Sequence, residues 1–350
     1  MNRLLSLDLA RGFTVLFIPA IHTGMLYSRL SVHTTPLGYF LVSIAEGPGG
    51  QLLMLLMGVT FTLKAQHSAR SIMIRSATLL LAGYLLNILK FVVPYSLGLL
   101  PREVLAELEI KGTEAAVWQL AGMGDILHFA AIAQIILYGV YKFKNYQWWA
   151  LGMAIAVAIL SPLLWDRQPT SPVLHYLAGL ATGHPPKVFF PLLPWLIFPL
   201  AGLCIGCYLK KQESQTMKRC AVIGLILLLE GWIEQISFKT INPHGFYRTP
   251  FPETCWHLGI VLLALSMWYW ISKRAKDNLF FHLLTYSSKN ITLLYFIQWV
   301  MICWLLPVFG FRRLDTFHSA MVMAVMTADT YILAFFINRI KQRYGYNKSL

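Results

Sequence analysis

Charge is what this sequence has least of. Only 13% of its 350 residues are Asp, Glu, Lys or Arg, and just 15 are acidic. A soluble domain carries about a quarter charged residues, so a water-exposed globule is excluded. Cysteine is nearly as sparse. Cys204, Cys207, Cys220, Cys255 and Cys303 are scattered through apolar stretches and form no disulfide framework. Cys204-Ile-Gly-Cys207 has redox spacing but an apolar helical setting, which favours small-residue helix packing. A GxxxxGK[ST] phosphate loop is missing, which argues against ATP-driven work, and so is an H-E-x-x-H metal motif. No fixed-period repeat, low-complexity tract or separate soluble domain stands out.

What remains is 57% hydrophobic and runs in long apolar stretches. Lipid satisfies no backbone polar groups, so such spans must be helices. They are not the ~10-residue alternating segments of an outer-membrane barrel. Spans of about twenty residues fit at 10–30, 39–63, 72–93, 117–141, 147–165, 189–209, 219–236, 255–272, 290–309 and 318–338. The expected fold is all-α: a polytopic membrane bundle of about ten transmembrane helices, forming one domain over 1–350. Met1 to Ile21 reads as a retained signal anchor, since Asp8 and Arg11 flank its apolar run and no cleavage site follows.

The net charge of +14 is explained by topology, not nucleic acid. Of 29 Lys and Arg, 19 fall on the side of the N-terminus, 9 on the other, and Lys90 inside a span. The positive-inside rule then puts both termini in the cytoplasm, and a bacterial inner membrane is the expected setting. Membrane lipids are implied partners, nucleic acid is not, and a homo-oligomer is left open.

Ionisable groups inside spans cost ~2.5–3.5 kcal/mol and are functional candidates by default. Arg11 and His22 are 11 residues apart, as are His22 and His33. Eleven residues is about three turns and roughly 16 Å. Arg11 therefore lies at the inner surface, His22 mid-membrane on the same helix face, and His33 near the outer surface. Asp125 and His128 share a face, as do Glu230 and Glu234. Glu46-Gly-Pro-Gly-Gly-Gln51 interrupts the second span, and broken backbone at depth needs a cavity beside it. Segment 101–114 reads as a surface amphipathic helix. The outer loops 166–187 and 237–253 either cover a site or only connect spans.

The opening Arg3-Leu-Leu-Ser-Leu-Asp8-Leu-Ala-Arg11-Gly12, followed by His22, resembles the transmembrane acyltransferase superfamily. That group includes the heparan-alpha-glucosaminide N-acetyltransferases and bacterial integral-membrane sugar O-acyltransferases. Leu55-Leu-Met57-Gly58, Gly124-Asp-Ile-Leu-His128, Phe190-Pro-Leu-Leu-Pro-Trp195 and Ser288-Lys-Asn290-Ile-Thr-Leu-Leu-Tyr295 add to the likeness. Related sequences often carry a histidine where this chain has Gln298.

The resemblance implies transfer of an acyl group, usually acetyl, from cytoplasmic acetyl-CoA to a hydroxyl or amine of a carbohydrate or amino-sugar acceptor at the outer face. In that reading Arg11, Lys64 and Arg75 hold the donor, and Asp8 restrains Arg11. His33 is the first choice for the base and His22 the second, with Asp125 and His128 orienting acceptor or base. No metal is expected. The competing class is a secondary transporter or flippase for a glycan, with the intramembrane acids as proton relays.

Overall fold

A computed structural model describes residues 4–64, 67–110, 115–165, 169–183, 187–238, 242, 245–274 and 278–345. The described residues are overwhelmingly helical, with no strand beyond two isolated bridges. Among the described residues, seven helices are long and apolar enough to cross a membrane: α1 (Leu5–Tyr27), α2 (Pro36–Leu63), α3 (Ala69–Ser96), α7 (Tyr146–Leu164), α9 (Leu192–Leu209), α11 (Phe251–Arg274) and α15 (Thr316–Arg343). Between them come α4 (Arg102–Glu107), α5 (Ala116–Ala121), α6 (Ile126–Tyr141), α8 (Pro172–Thr182), α10 (Glu213–Phe238), α12 (Leu279–Lys289), α13 (Ile291–Trp304) and α14 (Leu306–Phe309). The chain is an integral membrane protein.

Each expected span has a helical counterpart, and two of them divide into separate helices. The stretch 117–141 divides into α5 and α6 at Gly122–Asp125, where Asp125 turns to cap α6. The stretch 290–309 divides into α13 and α14 at Leu305. Large apolar side chains such as Leu81, Ile159, Ile226 and Phe335 remain exposed on the outward faces of α3, α7, α10 and α15. Bilayer, not protein, is the natural cover for such a belt.

Helix α1 is the hub, packed against α2, α11, α12, α13 and α15. Its grip on α13 and the preceding helix has three levels. Ser288 Oγ donates to Asp8 Oδ1 at 2.9 Å near the start of α1. His22 meets Gln298 halfway along. Tyr27 Oη donates to the Ile302 carbonyl at 2.6 Å at the far end. Gly12 makes the approach to α12 possible, since a Cβ there would sit 1.9 Å from the Leu284 carbonyl oxygen.

Helices α2 and α9 cross with equal intimacy. A Cβ on Gly58 would lie 2.0 Å from the Pro199 oxygen, and one on Gly202 would lie 2.0 Å from the Leu55 oxygen. Thr62 Oγ1 closes the seam by donating to Leu203 O at 3.0 Å. Small residues at such crossings let backbones touch where lipid offers no hydrophobic drive.

Two helices carry π-type turns, Ala45–Gly49 in α2 and Ile88–Val92 in α3. Such turns are rare and collect at functional sites. Gly47 and Gly49 leave helical geometry altogether, with ψ near −105° and −115°. The buried Arg248 ties together three stretches of chain. Its guanidinium donates to the Trp165, Thr182 and Gly183 carbonyls.

The crossing predicts a large penalty for bulk. Gly58→Leu should lower stability by about 1–3 kcal/mol, as overpacking does. Thermal unfolding in detergent would measure this, and Gly139→Leu, which has open space around it, is the control.

Candidate active site

A cavity of about 230 Å³ lies between α1, α2, α3, α6 and α13. Thr14, Ile18, His22 and Leu26 of α1 run along one wall. Ala45, Gly49 and Gly50 line it from the broken segment of α2, and Lys90 and Phe91 from the π-type turn of α3. Both helical irregularities therefore open onto the same space.

Its polar floor is built by an ordered sequence of contacts. Asn87 Nδ2 donates to the Ala121 and Met123 carbonyls at 3.0 and 2.7 Å, clamping the break between α5 and α6 against α3. Gly124 N donates to Lys187 O, and Phe189 N donates to Gly124 O, on the other side. The next residue, Asp125, then faces Lys90, one turn along α3 from Asn87. Lys90 Nζ donates to Asp125 Oδ2 at 2.5 Å. Asp125 Oδ1 accepts from the Ile126 N–H at 2.6 Å and from Tyr295 Oη at 2.6 Å. Three charge-assisted bonds on one carboxylate hold it ionised.

Tyr295, Gln298 and Trp299 are spaced i, i+3, i+4 on α13 and share a face. Gln298 Nε2 donates to the Tyr295 carbonyl at 3.3 Å, which turns its Oε1 to His22 Nδ1 at 3.0 Å. An amide oxygen can only accept, so Nδ1 carries the proton and Nε2 keeps its lone pair. Trp299 joins the two halves. His22 stacks on its ring at 4.2 Å with 28° between planes, and the Lys90 ammonium lies 4.7 Å from its centroid. Phe91 offers the ammonium a second ring at 4.9 Å.

Aromatic side chains cap one end of the cavity. Phe189, Phe190, Phe246, Tyr247 and Phe311 line it; Phe189 and Phe190 both meet the Tyr247 ring edge to face. The loop before α11 thus covers the site and does more than connect spans. At the rim, Arg312 donates to both Glu107 oxygens at 3.1 and 2.7 Å, joining α4 to the turn before α15.

The residues singled out from sequence divide clearly. His22 and Asp125 are brought to one cavity. His128 is buried next to Asp125 but turns away: its Nδ1 accepts from the Asp125 N–H at 3.2 Å as half of a capping box, and its ring meets Tyr84. His33 is exposed in a single 3₁₀ turn, Leu30–Thr34, and is not among the cavity-lining residues.

Arg11 lies one turn below Thr14 on α1, with Nη2 3.5 Å from the Leu56 carbonyl. Lys64 and Arg75 are exposed at the same end of the bundle. Their charge is felt by His67, stacked on Phe61 at 4.0 Å. Burial holds the His67 pKa below its ordinary value; the Phe61 carbonyl opposes, and Lys64, Lys210 and Arg75 push it down further. Glu230 and Glu234, the relay candidates of a transporter, sit on α10 and do not line the cavity.

Sequence reasoning passed over Lys90 and Tyr295. A lone lysine inside an apolar run was a signal, as was the i, i+3, i+4 array of Tyr295, Gln298 and Trp299. His22 and Tyr295 being 273 positions apart, nothing local linked them.

A family model described as heparan-alpha-glucosaminide N-acetyltransferase, catalytic, matches residues 3–231. The chain belongs to this family. It is therefore a membrane acetyltransferase. No curated protein matches the chain by sequence. Within the matched stretch lie His22, Lys90 and Asp125; Tyr247, Tyr295, Gln298 and Trp299 lie beyond it.

The ion pair is testable by stability alone. Lys90→Met strands a buried carboxylate and should cost about 3–5 kcal/mol. Lys90→Met combined with Asp125→Asn removes both charges, keeps the helix cap, and should regain most of that loss in a thermal melt.

Proposed function

We propose that the chain moves an acetyl group from cytoplasmic acetyl-CoA to a hydroxyl or amine of a carbohydrate acceptor, with His22 as general base. One observation carries this reading. The His22 imidazole lines the cavity with its Nδ1–H committed to Gln298, which leaves Nε2 as the proton acceptor. A general base needs that tautomer, and the amide supplies it without adding charge.

The donor's phosphates stay at the Arg11 end, with Lys64 and Arg75, because phosphate cannot enter lipid. Asp8 steadies that end of α1 through Ser288. The pantetheine arm follows the Thr14–Ile18 wall upward, so the thioester reaches His22. The acceptor enters from the opposite side, beneath the aromatic cap. Aromatic faces suit the C–H faces of a sugar ring, and the rim pair Glu107–Arg312 offers charged partners for its hydroxyls. Attack of the acceptor oxygen or nitrogen on the thioester carbon passes its proton to His22 Nε2. Collapse breaks the carbon–sulfur bond, and the leaving thiolate takes that proton.

In this scheme both termini face the cytoplasm of a bacterial cell, and residues 1–350 act as one domain, since α13 completes a site begun by α1. The order of preference between the histidines is reversed from the sequence reading. His33 sits outside the cavity, while His22 is oriented within it.

His22→Ala should lower kcat with radiolabelled acetyl-CoA and glucosamine by roughly 10²–10⁴-fold, with donor affinity retained. His33→Ala should stay within a few-fold of wild type. Equal activity in the two variants would sink the assignment. Cysteines placed at 33 and 64 in a cysteine-free background should react with an impermeant maleimide from opposite sides of sealed vesicles; labelling from one side only would refute the topology.

A further inference from the structure

Stability alone does not call for a cation at Lys90. It is 3% exposed, it lies within an apolar helix, and a buried pair of this kind is no more stable than well-packed apolar residues. The fold nevertheless invests in it. A π-type turn aims it into the cavity, Asn87 brings Asp125 to it, and Tyr295 and the Ile126 N–H hold that carboxylate in place. Asp125 Oδ2 takes one of its three N–H groups. Two aromatic faces flank the ammonium and accept no strong hydrogen bond. Donor capacity is thus left over on a fixed cation that shares its cavity, and the Trp299 ring, with His22.

We propose that Lys90 is a catalytic residue, the electrophile that donates a hydrogen bond to the thioester carbonyl oxygen and holds the oxyanion formed on attack. Asp125 and Tyr295 are its positioning residues. The inference rests on the acetyl-CoA reading above. In the step, the acceptor's lone pair forms the new bond to the carbonyl carbon, and its proton moves to His22 Nε2. The carbonyl π pair moves to oxygen, where Lys90 N–H meets it. The pair then returns, the carbon–sulfur bond breaks, and the thiolate leaves with the proton from His22. Base and oxyanion donor act from different helices, α1 and α3, so that charge develops between them. A fixed donor in a water-poor site acts where charge appears and needs no reorganisation at that moment.

Lys90→Met/Asp125→Asn, which keeps the fold by removing both charges together, provides the test. Purified wild type and double variant are each given acetyl-CoA with a ¹³C-labelled carbonyl and read by isotope-edited infrared spectroscopy. In wild type the bound carbonyl stretch should move to lower frequency than in free donor, and in the double variant it should not. Turnover should fall roughly 10²–10³-fold at unchanged donor affinity. Tyr295→Phe, which loosens Asp125 without removing the cation, should give a smaller loss and an intermediate stretch. An equal shift in both proteins overturns the role of Lys90 and leaves the acetyl-CoA reading intact. Failure of wild type to bind acetyl-CoA overturns both.

Discussion

The contact on which the rest depends is the buried ion pair between Lys90 and Asp125. Neither charge is tolerable in this setting without the other, so every element that touches the pair is constrained. Helix α3 must widen at Ile88–Val92 to present the lysine. The span that would otherwise run 117–141 must break, because Asp125 can cap α6 only if the chain turns before it. Tyr295 must then reach across from α13, which ties the last third of the chain to the middle. A bundle of apolar helices has many near-equivalent packings in lipid, where apolar surface is covered whichever way it faces. A charged pair with one satisfactory arrangement selects among them.

The same argument explains why α1 is the hub. Its contacts with α12 and α13 are polar at three heights, Asp8, His22 and Tyr27, and close-packed at Gly12. Sliding α1 by one residue would break all three bonds and drive the Gly12 position into the Leu284 backbone. Register is therefore fixed, and with it the depth at which His22 sits. The three-turn spacing of His22 from Arg11 holds because α1 stays helical through the buried Pro19.

Much of the fold was legible. Apolar length, the charge asymmetry and the Glu46–Gln51 break identify a helical bundle with a cavity beside the second span. The opening motif pointed to the family that the match over 3–231 assigns. The site was legible only where it is local. The Arg11–His22 spacing lies within one helix, so periodicity reveals it. Asp125 with His128 looked like a functional pair for the same reason, yet at a helix start i, i+3 spacing also makes a capping box, and that is what His128 completes. The roles of Gln298 and Lys90 were not legible because their meaning lies in partners on other helices. Gln298 looked like a loss of a titrating group; its orientation toward His22 Nδ1 makes sense only once α1 and α13 are side by side. His33 drew attention by regular spacing, but the helix ends at Tyr27 and the count loses its geometric content beyond that point.

The proposed site would also resolve a chemical competition. A thioester can be attacked by water as well as by an acceptor, and the attacking group that is present in excess wins unless it is kept away. Much of the wall is apolar, with Ile18, Ile21, Leu53, Phe189, Phe190 and Phe246 among its side chains, and these offer water nothing to bind. Of the polar groups on the cavity, Asp125 is committed to three donors and Nδ1 of His22 to Gln298. Low polarity strengthens the charges that remain, so under the proposed mechanism the same apolar walls would make His22 Nε2 and the Lys90 ammonium more effective on a bound carbonyl. Opening such a cavity costs stability, and the two π-type turns are where the backbone accommodates it. In the proposed reaction, a base and a cation inside this cavity, not at the exposed His33, would keep the acetyl group from water until an acceptor is seated.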